Sequence, residues 1–520
     1  MRLDALLWRG ARLFPQVPAV VDARMSLTHV EMANEVARLI TVLCQCGVQA
    51  GDRVAVLAKN RWEHVALFHA AANLDAVFVP LNWRLSADEL HWIIADAAPR
   101  VVLAEPPYTA LLDRFRRDLP DAIQWLAMDE APEGWALLSQ RMDQATPSAP
   151  PMANARVDVP VAQIYTSGTT GRPKGALLTH ANLMASVMGI MGDFAMRPGQ
   201  DRHLQVTPLF HVGGMLMTVL CAAHAVTLRL LPEFSPAAAA RCLAQEPVTH
   251  TLMVPAMLQW LFAERGIDRT AFRHLRFVAY GAAPMPPALL AQAMQELGCA
   301  FFQGYGLTET AAMLTILSPD DHRACIEQGA SSARLMSAGR EMLGVHIRVV
   351  DAQGQDVPTG EPGEVVAQGA CVSPGYWQLP EASAQAHRNG WFWTGDIGVL
   401  DDQHYLTIVD RAKDMVIVGG ENVYPGEVER VLMTHPDVAD CAVIGVPHAV
   451  WGEEVMALVA LRDGVAIEPR ALIAHCRASL ARYKAPTRVE FRPAIARNAA
   501  GKIEKAKLRE PFWQGHQRAV

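Results

Sequence analysis

No CxxC pair occurs in the 520-residue chain, and its nine cysteines, at 44, 46, 221, 242, 299, 325, 371, 441 and 476, are odd in number and widely spread. That pattern excludes a zinc ribbon or a disulfide framework and suits a reducing compartment. Cys44 and Cys46 fall in an apolar, helix-like stretch and read as buried small hydrophobes. Positive charge is not in excess either: Lys plus Arg number 46 against 53 acids, a net charge of −7. Such a balance offers no broad attraction for nucleic acid or an anionic membrane. The N-terminus, MRLDALLWRGARLFP, breaks its apolar residues with Asp4, Arg9 and Arg12 and so lacks the apolar core of a signal peptide. The uncharged segment 212–228 is 17 residues long, at the low edge of a membrane span. Gly213, Gly214 and His224 dilute it, and it reads as a buried helix running into a strand over 225–231. A cytoplasmic protein without an integral membrane segment is the expectation.

What is present is ample core material: 51% of the residues are hydrophobic and 19% charged, which rules out a disordered chain. Single cores stop growing at about 250–300 residues, so the length implies at least two units. In the first 150 residues, helical spacing over 27–43, 65–74 and 86–97 alternates with short β-rich runs at 53–57, 76–80 and 101–104. That alternation predicts parallel α/β layers. Residues 145–156, rich in Pro, Ala and small polar residues, read as a surface connector, after which the alternation resumes to about residue 300. Beyond 340, runs at 345–350, 363–366 and 404–409 between Gly, Pro and Asp turns predict a β-rich subdomain. The last hundred residues return to mixed α/β, with helices over 427–434 and 469–480 and strands over 439–446 and 454–461. The fold class is therefore α/β: a large N-terminal domain of α/β layers with a β-rich subdomain, then a small α+β C-terminal domain.

The strongest local signal is Tyr165-Thr166-Ser167-Gly168-Thr169-Thr170-Gly171-Arg172-Pro173-Lys174-Gly175, which follows an apolar strand and precedes a helix beginning near His180. Its glycines let the backbone approach closely, its hydroxyls donate hydrogen bonds, and Lys174 adds a charge. Backbone N–H groups and hydroxyls together suit the oxygens of a polyphosphate. It is not a Walker A loop, because the glycine spacing is wrong and Gly175, not Ser or Thr, follows the lysine.

This stretch resembles the nucleotide signature of the adenylate-forming superfamily, which includes acyl-CoA synthetases, luciferases and peptide-synthetase adenylation domains. Further similar motifs follow in order: Pro208-Leu209-Phe210-His211, Tyr280-Gly281-Ala282-Ala283-Pro284, Gly304-Tyr305-Gly306-Leu307-Thr308-Glu309-Thr310, and Trp393-Thr394-Gly395-Asp396. Then come Asp410-Arg411-Ala412-Lys413-Asp414, Gly419-Gly420-Glu421-Asn422-Val423-Tyr424-Pro425 and Asn498-Ala499-Ala500-Gly501-Lys502-Ile503. The resemblance thus extends over essentially the whole chain.

The resemblance implies an ATP-dependent acid–thiol ligase working through an acyl-adenylate, with ATP as Mg-ATP, Mg²⁺ and coenzyme A. It implies an AMP-binding domain over 1–410, with its β-rich subdomain at about 335–410. A hinge at 411–413 carries Lys413, and a mobile C-terminal domain spans 414–520. Lys502 becomes the main catalytic cation, bridging the carboxylate and the α-phosphate. Glu309 becomes the Mg²⁺ ligand, helped by the Thr166 hydroxyl, as a hard oxygen donor beside phosphates should be. Ser167, Gly168, Thr169, Thr170, Gly171 and Lys174 would cradle the phosphates, and Thr308 would contact the α-phosphate. Tyr305, between Gly304 and Gly306, would stack on adenine, with Gly281, Ala282 and Ala283 as the platform opposite. Asp396 would accept the ribose hydroxyls, Arg411 would contact ribose or phosphate, and Gly419, Gly420 and Glu421 would flank the incoming pantetheine thiol.

By the same resemblance the acyl group would lie near residues 208–217, 252–260, 280–283, 303–306 and 311–315. None of these windows contains Lys, Arg or Asp, and Glu309 is the one acid between 303 and 315. A second substrate charge would have no partner there, which argues against a dicarboxylate or an amino acid. Val212, Met215, Met253 and Met313 suggest an apolar, adaptable lining, with His211 gating it or touching the acyl group. A medium-to-long fatty acid is the favoured substrate, with an aryl or cinnamate-type acid next. The rivals are an acyl-AMP ligase that loads a carrier protein, a luciferase-type oxygenase, and a nucleotide-binding regulator without catalysis. Retention of Lys502 and Glu309 speaks against the regulator. A homodimer is left open.

Overall fold

Helix starts are written locally. The Thr28 hydroxyl oxygen accepts a hydrogen bond from the Glu31 amide while the Thr28 amide donates to the Glu31 carboxylate, which begins the helix His29–Gln45. The same reciprocal cap at Ser86 with Glu89 starts Ala87–Ala97, and Thr179 with Asn182 starts His180–Phe194. The structure is a computed structural model that describes residues 1–148, 156–166, 172–264, 266–268, 272–283, 285–327, 333–418, 421–448, 450–497 and 503–514. The expected connector at 145–156 therefore lies largely outside the described residues.

The chain forms two compact units, one of residues 1–347 and 367–392 and one of 348–366 and 393–520. The first holds two large sheets. One has nine strands, in the order Arg340–Glu341, Thr315–Leu317, Ala300–Tyr305, Phe277–Gly281, His250–Leu252, Arg202–Gln205, Thr227–Leu230, Pro18–Val21 and Ser26–Thr28. Its central pairs are parallel and its outer pairs antiparallel. The other has eight, in the order Gly375–Tyr376, Lys174–Thr179, Pro160–Thr166, Val77–Pro80, Arg53–Leu57, Val101–Ala104, Gln124–Ala127 and Ala136–Leu137. Val54–Leu57 and Val101–Ala104 are buried on both faces, as parallel strands under crossover helices must be. Segment 212–228 forms the helix Val212–His224 and then the strand Thr227–Leu230, with Ala225 at φ 53° ending the helix. Among the described residues no helix is long and apolar enough to cross a membrane.

The unit boundaries fall inside the β-rich stretch, and the expected hinge residues 411–413 belong to the second unit. The strand Leu406–Arg411 pairs antiparallel with Trp391–Leu400. The last sheet runs Glu421–Val423, Val416–Val418, Gly452–Leu461, Val438–His448, with Arg488–Phe491 added beside Gly452–Leu461. Alternation along its long hairpin sends Val443, Val455, Ala457 and Val459 into one core and Ala442, Ile444, Met456 and Leu458 into another. Ile503, Leu508 and Phe512 pack against the second core.

Candidate active site

Sequence reading places a strand before the phosphate-compatible loop and a helix after it; the structure inserts a second strand between loop and helix. Pro160–Thr166 and Lys174–Thr179 pair antiparallel, with Thr166 opposite Lys174 and Tyr165 opposite Gly175. The motif therefore connects two strands paired antiparallel in a hairpin. A helix cannot start at once, because Gly175 packs against Gln163, 2.7 Å from where a Cβ would sit, and the apolar Ala176 and Leu178 point into the core. Ser167, Gly168, Thr169, Thr170 and Gly171 lie outside the described residues, as do Gly419, Gly420 and Lys502.

Below the hairpin, the Tyr165 hydroxyl donates to Asp96 Oδ2 at 2.5 Å and accepts from Gln163 Nε2 at 2.8 Å. Burial and the nearby Asp96 charge push the Tyr165 pKa well above its usual value, so the phenol is a fixed neutral donor. Lys174 is half-buried, with Nζ 5.2 Å from the centre of the Tyr376 ring. Tyr376 sits on the edge strand Gly375–Tyr376, opposite Ala176. Its hydroxyl donates to Glu309 Oε1 at 2.8 Å, and the Ser373 amide donates to the Glu309 carbonyl at 2.7 Å.

Glu309 occupies the short turn Thr308–Thr310, which follows the strand Ala300–Tyr305. Buried Thr310 fastens that turn by accepting from the Leu307 amide at 2.9 Å. Gly281 lies opposite Gly304 in adjacent parallel strands. A Cβ on Gly281 would stand 2.4 Å from the Gly304 carbonyl oxygen, and one on Gly306 would stand 2.4 Å from the Ala312 oxygen. Neither contact is sterically allowed, so both positions need glycine for a close approach. Ala282, Ala311 and Ala312 adopt φ of 65°, 48° and 77°, a left-handed conformation that non-glycine residues seldom take and that recurs at functional sites. Ala282 and Ala283 are exposed beside this cluster, and Tyr305 and Thr308 are half-buried.

His211 directly precedes the helix Val212–His224, without a side-chain bond to the helix's first amides, and its ring lies 4.4 Å from that of Phe210. Buried Asn60 holds the preceding turn: its amide donates to the Thr207 and Leu231 carbonyls, and its oxygen accepts from the Leu209 amide at 2.8 Å. Met215, Met253 and Met313 are buried and Val212 is half-buried. Met313 lies over the Gly304 backbone.

In the second unit Asp396 is 3% exposed, and its Oδ1 lies 2.6 Å from Arg411 Nε. Thr394 turns its hydroxyl to the Val365 carbonyl at 2.7 Å and accepts from the Asp396 amide at 3.1 Å. Lys413 is exposed in the turn Ala412–Asp414, and Glu421 is exposed at the start of Glu421–Val423. Sequence reasoning missed Tyr376, Ser373, Asn60 and Asp96, which act as partners of candidate site residues while lying far away in the chain.

The description "AMP-binding enzyme" matches residues 7–377, and "AMP-binding enzyme C-terminal domain" matches 427–502. A feruloyl-CoA synthase of Amycolatopsis sp is 37% identical over 505 residues, covering 97% of this chain and 98% of that one. The long-chain-fatty-acid–CoA ligase FadD13 of Mycobacterium tuberculosis is 36% identical over 520 residues, covering 98% of each. The ATP-bound structure of MatB from Rhodopseudomonas palustris superposes with a TM-score of 0.88 at 29% identity, over 99% of this chain and 100% of that one. The chain belongs to the AMP-binding, adenylate-forming enzymes and is an AMP-forming acyl-CoA synthetase, an acid–thiol ligase that uses ATP and CoA.

Proposed function

We propose that this ligase activates an apolar carboxylic acid, a medium-to-long fatty acid ahead of an aryl or cinnamate-type acid, and hands the acyl group to free CoA. The observation that carries the nucleotide reading is the junction at Glu309, where Tyr376 ties the carboxylate to the hairpin bearing Thr166 and Lys174. The substrate preference draws on the buried methionines 215, 253 and 313 and on the lack of Lys, Arg or Asp in the surrounding windows. A substrate with a second charge would lose its hydration there without gaining a partner.

Adenylation brings a carboxylate against a triphosphate, so the site must supply cations and oriented donors that strengthen as charge moves onto pyrophosphate. Lys174 would face the phosphates from the hairpin, and Lys502 would bridge the carboxylate and the α-phosphate. Thr308 would donate to the α-phosphate, and Tyr305 would stack on adenine against Gly281, Ala282 and Ala283. Asp396 would hold the ribose hydroxyls, with Arg411 beside it. The Glu309 carboxylate and the Thr166 hydroxyl are hard oxygen donors that fit Mg²⁺, which when bound would neutralise phosphate charge. Rotation about Lys413 would exchange Lys502 for the segment Gly419-Gly420-Glu421, where the thiol would attack the acyl carbonyl and AMP would leave with the electron pair of the acyl C–O bond. His211, at the N-terminus of Val212–His224, would border the acyl group.

Release of pyrophosphate and AMP across acids from acetate through C16 to benzoate, cinnamates and malonate, with and without CoA, tests the reading. CoA-dependent turnover on the apolar acids is expected. Pyrophosphate release indifferent to CoA would favour a carrier-protein acceptor, and turnover of malonate above the apolar acids would overturn the substrate class.

A further inference from the structure

Tyr376 is held unusually firmly for a residue on a two-residue edge strand. Its amide donates to Ser383 Oγ at 2.9 Å, and the next amide, of Trp377, donates to the Gly175 carbonyl at 2.8 Å. The Trp377 indole donates to the Asp96 carbonyl at 3.1 Å, and the Arg53 guanidinium lies 4.6 Å from that ring's centre. On the other side, Ser373 Oγ accepts from the Gly375 amide at 3.0 Å, while the Ser373 amide is spent on the Glu309 carbonyl. Gly375 has φ 137°, and a Cβ there would stand 2.6 Å from Ser383 Oγ, so the strand bends where only glycine fits.

These restraints fix one phenol between two groups of the proposed site. The hydroxyl reaches Glu309 Oε1 at 2.8 Å, and the ring face lies 5.2 Å from Lys174 Nζ, within cation–π range. Among the described residues nothing hydrogen-bonds Glu309 Oε2. A carboxylate with one oxygen pinned by a neutral donor offers its other oxygen in a defined direction. Groups that orient ligands in this way tune metal affinity strongly.

We propose that Tyr376 is a positioning residue: it fixes Glu309 so that Oε2 serves as a single-oxygen ligand for the nucleotide's divalent cation, and it holds Lys174 toward the phosphates. The proposal rests on the reading of Glu309 as a metal ligand, and the test separates the two. Mn²⁺ replaces Mg²⁺, and its binding to the enzyme with a non-hydrolysable ATP analogue is followed by electron paramagnetic resonance. Tyr376→Phe removes one oxygen and keeps the ring; thermal unfolding checks that the variant is folded.

Tyr376→Phe should weaken Mn²⁺–nucleotide binding about tenfold, the lower end of what loss of a ligand-orienting partner produces. Glu309→Gln should weaken it at least as much. In the double variant, loss of the hydroxyl should add little, because the carboxylate through which it acts is gone; a merely structural tyrosine would add its full effect. If Glu309→Gln weakens binding and folded Tyr376→Phe does not, the Tyr376 proposal falls while the Glu309 reading stands. If Glu309→Gln leaves Mn²⁺ binding intact, both fall.

Discussion

Arg411 Nε lies 2.6 Å from Asp396 Oδ1, and the two residues stand directly opposite each other on neighbouring antiparallel strands. The aspartate is almost wholly buried, whereas the arginine side chain is 40% exposed. The pair therefore has a fixed acceptor and a movable donor. Register alone brings together two residues that lie in separate motifs of the sequence. If the carboxylate also takes the ribose, Asp396→Asn keeps the shape but removes the charge from those hydrogen bonds. Bonds to charged groups are worth about 1.5–3 kcal/mol, so ATP binding should weaken roughly 10- to 100-fold. Calorimetric titration with ATP reads this directly, and unchanged affinity would remove Asp396 from the nucleotide site.

A second charge cluster holds the chain just after Lys502. Lys505 Nζ lies 3.0 Å from Glu429 Oε1 and 3.8 Å from Asp410 Oδ2, with its side chain 10% exposed. Burial by itself would lower the Lys505 pKa, but the two carboxylates outweigh it and raise it above the usual lysine value. Burial raises Asp410 and Glu429 in turn, with Lys505 opposing. Lys505→Met leaves two buried carboxylates without their shared cation and should destabilise the enzyme by about 3–5 kcal/mol. Pairing it with Glu429→Leu and Asp410→Asn should recover much of that loss. Urea unfolding of the single and triple variants measures both, and a single variant as stable as the parent would show that the cluster contributes nothing net.

How much of this could be read beforehand depended on distance along the chain. Apolar spacing over 27–43 and 86–97 announced the helices His29–Gln45 and Ala87–Ala97, whose starts are fixed by capping partners three residues apart. The apolar helix at Val212–His224 was legible because Gly213, Gly214 and His224 dilute a run at the low edge of a membrane span. The strand Lys174–Thr179 was not anticipated, since Gly175 and Pro173 look like loop residues until pairing with Pro160–Thr166 supplies the backbone partners. Tyr376 was invisible for the same reason: its partner Glu309 is 67 residues earlier, and no local pattern links them. The short strand Gln124–Ala127 and the edge strand Ala136–Leu137 beside it likewise depend on neighbours for their identity. Motif residues were legible in the sequence, whereas the residues that hold them in place were not.

Buried histidines should weaken the fold as pH falls. Burial pushes the pKa of His64 and His203 down to about 3 and of His69 and His180 down to about 4, from an ordinary 6.5. In the unfolded chain these rings take protons as pH falls below about 6.5, while the folded protein keeps them neutral until pH 3–4. The unfolded state thus binds more protons across that window, and stability falls as pH falls, by about 1.4 kcal/mol per pH unit for each such ring. Thermal midpoints should therefore decline steadily from pH 7 to pH 5. Neither ring nitrogen of His64 has a hydrogen-bond partner among the described residues. His64→Leu should consequently flatten the decline without losing a bond, and an unchanged slope would exclude His64 as a contributor.

The sharpest test of the chemistry concerns Lys502. Arg497 and Ile503 form a lone bridge across residues 498–502, and Arg497 Nη2 donates to both oxygens of Asp440 at 2.8 and 3.0 Å. Arg497 and, through its packing on the core that holds Ala442 and Met456, Ile503 are both tied to the same hairpin, so replacing the lysine should leave these two residues in place. Lys502→Ala removes one donor that acts on the charge developing during adenylation. Loss of a single such donor usually lowers the rate by about 10²–10³-fold. Pyrophosphate exchange should fall by that factor, while thioester formation from supplied acyl-adenylate and CoA should continue near the parent rate. The second half-reaction forms the acyl C–S bond and breaks the acyl C–O bond to AMP, which leaves with the electron pair; in the proposed division of labour Lys502 has left the site before that step. An equal fall in both half-reactions, in a variant with the parent's unfolding midpoint, would mean that Lys502 serves the acyl site as a whole and that the proposed exchange of catalytic faces is wrong.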